Sequence, residues 1–208
     1  IGDPSDKLDK RPMLTKEQIK NNLVDYKKQV GRIINLSLAE FRFNGNWLRK
    51  LGFQEISELA ECFSVQQMSA RRNFKDRLES GTEISLREFL YPLLQGYDSV
   101  MVKADVEIGG FDQLFNLRAG RTIQKHYGQA EQDVLTMKMR LGTDERRMST
   151  SCGNVINITD DKDGMFGKIM SIADKLIRDY FKGIASNISG DYYYNRRNRN
   201  IYTYSISK

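Results

Sequence analysis

Between residues 88 and 113 the chain reads EFLYPLLQGYDSVMVKADVEIGGFDQ. A helical pattern gives way there to short β-branched runs and then to paired glycines. Ser85-x-x-Glu88 forms a capping box, and Leu86, Phe89, Leu90, Leu93 and Leu94 behind it have the spacing of one buried helix face. Tyr91, Gln95 and Asp98 lie at i, i+4 and i+7, so a second stripe of the same helix carries a hydroxyl, an amide and a carboxylate. Such a set can hold an ammonium group, a phenol or a sugar hydroxyl by directed hydrogen bonds. A solvated polar stripe has the same spacing, and the sequence leaves both readings open. Val100-Met101-Val102 and Val106-Glu107-Ile108 read as short strands around a polar turn. Gly109-Gly110 then marks a strand end where a ligand can approach the backbone, and the helix start that follows favours anionic groups. Asp112 is placed to accept from ribose hydroxyls, although an ordinary strand-to-helix turn fits these residues equally well.

Working outward, Thr15-Lys16-Glu17-Gln18 is another capping box, and Ile19, Leu23, Tyr26, Val30 and Ile33 predict a helix to about residue 34. Asn44-Gly45-Asn46 makes a turn. Short helical patterns at 47–51, 56–62 and 65–78 form an expected helical insertion over about residues 44–84. Asp112–Tyr127 reads as a helix with Leu114, Leu117 and Ile123 inward, and Val134–Met139 as a strand. A loop over 142–153, a strand at Val155–Ile158 and helices near 165–171 and 175–181 complete the pattern. Strands alternating with helices argue for an α/β layered sheet. The expected organisation is one α/β portion over 1–183 and a basic, Tyr/Asn-rich tail over 184–208.

The chain has 208 residues, 39% of them hydrophobic, which is enough to bury a sizeable core. Its 33 basic and 27 acidic residues give a net charge of +6, which suits a polyanionic partner without establishing one. From residue 183 onward Arg196, Arg197, Arg199 and Lys208 outnumber Asp191. This stretch has the Arg/Tyr mixture that binds single-stranded nucleic acid, and equally the look of a poorly ordered end or an added strand. No apolar run approaches the roughly 18 residues of a membrane span, and the start, IGDPSDKLDKRP, lacks the order of a secretion signal. No membrane association is expected. Cys62 and Cys152 have no partner spacing, so reduced thiols are expected and no metal site. His126 is the only histidine, so no His-based catalytic set can be assembled; its place at a helix end suits the helix dipole. Arg146-Arg147-Met148-Ser149-Thr150-Ser151 offers guanidinium and hydroxyl groups suited to phosphate, or simply a basic surface loop.

Taken together, IGDPS, FRFNGNWLRKLGF, FSVQQM, YPLLQGYDSV, DVEIGGFDQLFNLRAGR, RMSTSCGN and MFGKIMSI resemble the catalytic domain of bacterial or organellar tyrosyl-tRNA synthetases, class I enzymes, over residues 1–181. The resemblance implies a Rossmann-type parallel sheet flanked by helices, incomplete because the first strands are absent, with a helical insertion. It implies ATP-dependent activation of tyrosine to tyrosyl-adenylate and transfer to tRNA(Tyr), with Mg2+ accompanying the ATP. By resemblance Asp3, Tyr91 and Gln95 surround the substrate ammonium, Asp98 meets the phenolic hydroxyl, Gln113 lines the pocket and Asn44 supports it. Gly110 and Asp112 would contact the ATP ribose. Arg147, Met148, Ser149, Thr150 and Ser151 would take the place of the KMSKS loop over the phosphates. A homodimer in the cytoplasm or an organellar matrix is implied as well.

Three departures stand against that pattern. The family's HIGH motif lies before the matched segment, and a sequence with one histidine does not contain it. The two KMSKS lysines become Arg147 and Thr150, and Phe111 stands where the family has a small residue. These leave an alternative, a degenerate homologue kept as an RNA-binding or scaffold protein.

Overall fold

The protein is described by a computed structural model covering residues 2–3, 13–24, 26–148 and 153–184. Its helices are α1 (Lys16–Val24), α2 (Tyr26–Val30), α3 (Gly45–Leu48), α4 (Phe53–Glu61), α5 (Val65–Ser69), α6 (Arg72–Glu79), α7 (Leu86–Val102), α8 (Leu114–His126), α9 (Lys162–Met170) and α10 (Asp174–Ile184). Strands β1 (Val106–Gly110) and β2 (Asp133–Met137) pair in parallel, with Val106 opposite Asp133 and Gly110 opposite Met137. Parallel neighbours need a crossover, and α8 supplies it. Among the described residues the sheet has these two strands.

Both capping boxes form. The Thr15 N–H donates to Gln18 Oε1 at 2.8 Å and the Gln18 N–H to Thr15 Oγ1 at 3.2 Å. At α7 the Ser85 N–H donates to Glu88 Oε1 at 3.0 Å. Glu88 also receives Arg77 Nη1 at 2.6 Å and Nη2 at 3.1 Å, which ties α6 to the first turn of α7. Leu59, Met68, Leu93, Val100 and Ile123 then join α4, α5, α7 and α8 in one core. Each such side chain contributes about 1.5–3 kcal/mol when fully buried.

Helices α7 and α8 approach each other closely at Gly96. A Cβ there would lie 2.7 Å from Ile123 Cδ1 and 2.9 Å from the Ala119 carbonyl oxygen. The backbone oxygen cannot turn away as a side chain can. Gly96→Ala is therefore expected to push the helices apart and cost about 1–3 kcal/mol, readable as a lower urea midpoint at unchanged slope. An unchanged midpoint would mean the two helices have slack.

Several sequence expectations are corrected. Residues 100–102 are the end of α7, not a strand. Val100 stays on the buried face with Leu93 and Ile123, and the helix stops only where Lys103 turns left-handed at φ 57°. The helix expected to reach residue 34 ends at Val30, where Gly31 enters a turn. Its apolar stripe is largely uncovered, with Ile33 73% exposed. Leu86, at the first position of α7, is exposed rather than part of the buried face. Val155–Ile158 is not a strand: Asp160 accepts the Asn157 N–H at 2.8 Å and so claims a donor that a sheet ladder needs. Ile156 packs instead against Ile172, Leu176 and Tyr180. The helix read from Asp112 begins as a 3-10 turn at Phe111–Gln113 before α8.

Candidate substrate site

The polar stripe of α7 is not solvated. Tyr91, Gln95 and Asp98 are all buried, Gln95 and Asp98 at 4% and 6% exposure. Asp98 Oδ2 accepts from Asn44 Nδ2 at 3.1 Å and Oδ1 from Trp47 Nε1 at 2.7 Å. Asn44 and Trp47 flank the start of α3, so the short insertion helix supplies the donors that hold this carboxylate. Burial raises the Asp98 pKa above the ordinary carboxylate value, and the two donors only partly offset that rise. Trp47 was not singled out from the sequence. It lies three residues beyond Asn44 in the same segment, and it is the only tryptophan in the chain.

Asp3 and Gln113, far apart in sequence, come together: Gln113 Nε2 donates to Asp3 Oδ2 at 2.7 Å. Gln113 Oε1 accepts from Asn116 Nδ2 at 2.9 Å, and Asn116 Oδ1 accepts from Arg71 Nη2 at 3.3 Å. The Arg71 guanidinium sits over the Phe74 and Phe115 rings, 4.9 and 4.6 Å from their centroids. A cation that can only donate fixes the sense of Asn116, which fixes Gln113, which presents N–H to the carboxylate. Neither Arg71 nor Asn116 stands out by sequence pattern, because Asn116 gains its role only through Arg71, which joins from 45 positions away.

A third group lies behind Gln95. Glu107 on β1, 2% exposed, accepts from Gln95 Nε2 at 3.1 Å, Ser99 Oγ at 3.1 Å and Gln132 Nε2 at 2.5 Å. Its pKa is raised, first by burial and also by the charge of Asp98, against the pull of the three donors. The Gln95 Oε1 atom is buried and has no hydrogen-bond partner among the described residues. An unsatisfied buried acceptor costs about 1–3 kcal/mol.

On the other flank, Gly110 is confined. A Cβ there would meet Asp112 Oδ1 at 2.5 Å and Met139 Sδ at 2.7 Å. Asp112 Oδ2 accepts from Arg147 Nη2 at 2.8 Å, so the basic loop reaches the turn after β1. Arg147 is 45% exposed, and a pair so open to water contributes about 0–1 kcal/mol. The loop is tied to itself by Asp144, whose pKa is held down to about 2 by hydrogen bonds from Asn154 and Arg146. Met148 packs against the Ile172, Leu176 and Tyr180 cluster. Ser149, Thr150 and Ser151 lie outside the described residues, as do Cys152 and the tail from 185. His126 is exposed at the end of α8, edge-on to Tyr127. A recess of about 340 Å³ takes in Trp47, Tyr97 and Met101 but none of Tyr91, Gln95 or Asp98.

Among the described residues no three His, Cys, Asp or Glu side chains gather as a metal-ligand set, and no helix is long and apolar enough to cross a membrane.

A parallel β–α–β unit with helices packed on it is a Rossmann-type α/β fold of the kind used by class I synthetases. The chain belongs to the family of class I tRNA synthetases of the W and Y group, whose model matches residues 1–189. It is 47% identical over 183 residues to the tyrosine–tRNA ligase of Bordetella avium, covering 88% of this chain and 45% of that protein. It is likewise 47% identical to the ligase of Thermotoga maritima, over 88% of this chain and 46% of the relative. The chain thus spans just under half the length of these relatives. Among solved structures, a truncated Aspergillus nidulans mitochondrial tyrosyl-tRNA synthetase is similar with a TM-score of 0.58 at 24% identity, over 87% of this chain and 58% of that one. The Archaeoglobus fulgidus tyrosyl-tRNA synthetase solved with L-tyrosine gives a TM-score of 0.57 at 20% identity, over 77% of this chain and 50% of that one. At these identities the two structures speak for the fold.

Proposed function

We propose that the protein carrying this sequence is a tyrosine–tRNA ligase, and that residues 1–183 are part of its catalytic domain. The observation that carries the reading is the buried Asp98 carboxylate, held by Asn44 and Trp47 on the polar stripe of α7. A carboxylate fixed in this way accepts a phenolic O–H, whereas tryptophan, the family's other substrate, has no hydroxyl to offer. Tyr91, Gln95 and the Asp3–Gln113 pair supply acceptors for the substrate ammonium. The substrate carboxylate attacks the α-phosphorus of ATP, the bond to the bridging oxygen breaks and pyrophosphate leaves with its electron pair. The tRNA ribose hydroxyl then displaces AMP from the tyrosyl-adenylate.

In that sequence the chain's own groups orient and stabilise charge, with no covalent intermediate on the protein. Gly110 lets the ATP ribose approach, Asp112 accepts from its hydroxyls, and Arg147 and Met148, with Ser149, Thr150 and Ser151 assigned by resemblance alone, would serve the phosphates. Arg147 would leave Asp112 for the phosphates when ATP binds. Mg2+ would come with the ATP oxygens, since it keeps much of its water shell and binds through substrate phosphates. A homodimer acting on tRNA(Tyr) in the cytoplasm belongs to the same proposal.

Calorimetry on the full-length protein tests the reading. Tyrosine is expected to bind in the ~1 µM to 1 mM range usual for enzyme substrates, with phenylalanine and tryptophan far weaker. No tyrosine binding alongside intact RNA binding would turn the assignment toward a non-catalytic scaffold, the reading that Thr150 favours.

A further inference from the structure

We propose that Glu107 is a positioning residue that locks the Gln95 amide with its oxygen facing the substrate, so that the pocket demands a free α-amine. This rests on the tyrosine reading and deepens it. An ionised carboxylate only accepts hydrogen bonds, so its contact with Gln95 at 3.1 Å must come from the amide nitrogen. The oxygen is turned away and left without a partner, in a side chain only 4% exposed. Gln95 lies one helical turn from Tyr91 on one side and from Asp98 on the other, so the unpaired acceptor belongs to the same stripe. An ammonium group is the donor that such an acceptor lacks.

Glu107 cannot easily swing to a different arrangement. Its second oxygen is held by Ser99 Oγ and by Gln132 Nε2. Gln132 is itself fixed, donating to the Leu117 carbonyl at 3.2 Å and, through its backbone N–H, to Gln124 Oε1 at 2.8 Å. Gln124 Nε2 in turn donates to the Ala104 carbonyl at 2.9 Å. Gly120 leaves the room for this, since a Cβ there would lie 2.5 Å from both Gln132 Nε2 and Ser99 Oγ. The sense of one amide is thus set by a network running through α7, β1, α8 and the entrance to β2.

The test uses the full-length protein, calorimetry, and two ligands: tyrosine and 3-(4-hydroxyphenyl)propionate, which lacks the amine. Glu107→Gln keeps the shape but adds a donor that can bond the Gln95 oxygen and let the amide reverse. Tyrosine affinity is expected to fall about tenfold or more, the worth of a hydrogen bond to a charged group. Affinity for the amine-free ligand should change less than about twofold. Adding Gln95→Glu restores an acceptor facing the ammonium and a donor facing it from position 107, so the double variant should recover most of the tyrosine affinity. If the unaltered protein does not bind tyrosine, the tyrosine reading falls and this one with it. If it does bind, and Glu107→Gln weakens both ligands alike or neither, the positioning role alone is overturned. Should Glu107→Gln fail to fold, the double variant decides: near-normal tyrosine binding supports the role. Loss confined to tyrosine, or a failure of the double variant to fold, overturns it.

Discussion

Glu88→Ala is expected to destabilise the protein by about 3–5 kcal/mol, the usual loss when one partner of a buried ion pair is removed. Arg77 and Glu88 are each about 1% exposed, and the guanidinium meets the carboxylate through two nitrogens. Removing Glu88 leaves a buried cation whose remaining acceptor is the Glu83 carbonyl. It also leaves the Ser85 N–H, at the start of α7, without its cap. Replacing both residues by methionine removes the stranded charge, so the double variant should be less destabilised than Glu88→Ala. Urea unfolding of the full-length proteins decides the matter. A loss below about 1 kcal/mol for Glu88→Ala would mean that water reaches the pair.

The acid response of this pair has a definite sign. Burial alone would raise the Glu88 pKa, but hydrogen bonds from Arg77 and the Ser85 N–H, with the charges of Arg77 and Arg87, bring it below the ordinary value. Its contribution is therefore complete above the unfolded carboxylate pKa of about 4.3 and is lost as pH falls through the folded value. Asp98 and Glu107 run the other way. Their folded pKa values are raised, so they weaken the fold as pH climbs from the ordinary carboxylate range through those values. Of these three buried carboxylates, acid therefore stabilises the fold through two and disables one. The one that acid disables anchors the helix bearing the polar stripe.

Much of this was legible in the sequence because local rules and packing agreed. The capping boxes at Thr15 and Ser85, the helix through Leu93, the strand read at 106–108 (which runs on to Gly110) and the inward face of α8 all follow from periodicity and end signals. Periodicity could not say what covers a face, which is why Ile33 and Leu86 lie exposed. It also misread Val100–Val102, whose β-branched residues form the last turn of a helix because Val100 is needed in the core. At the site, spacing brought Tyr91, Gln95 and Asp98 together, and resemblance added Asp3, Asn44 and Gln113. The residues that orient these groups were out of reach. Arg71 reaches Asn116 across 45 positions of sequence, and Glu107 meets Ser99 across 8 and Gln132 across 25, through contacts that only packing brings near. Side-chain networks of this kind leave no periodic trace.

Asp98→Asn is expected to cut the preference for tyrosine over phenylalanine by about 10- to 100-fold, chiefly by weakening tyrosine. A site built to bond a substrate hydroxyl rejects the analogue that lacks it by 10⁴–10⁵, tyrosine-specific ligases being the standard case from which that figure comes. The rejection arises because phenylalanine leaves buried polar groups unpaired. In the proposed site the acceptor is one carboxylate, Asp98, and both of its oxygens already take donors, at 3.1 Å from Asn44 and 2.7 Å from Trp47. Asparagine has the same outline but replaces one oxygen with an N–H2 group. That group must face either the Asn44 amide or the Trp47 indole N–H, donor against donor, and the surviving oxygen is then shared between a protein donor and the phenol. The bond to the phenol also loses its charge assistance, which is worth about half its strength. Phenylalanine makes no such bond and should bind the variant as it binds the unaltered protein. Pyrophosphate exchange with the two amino acids in parallel gives the ratio directly. A ratio that does not move would show that the hydroxyl is read elsewhere, and Asn44 and Trp47 would then hold Asp98 for the sake of the fold alone.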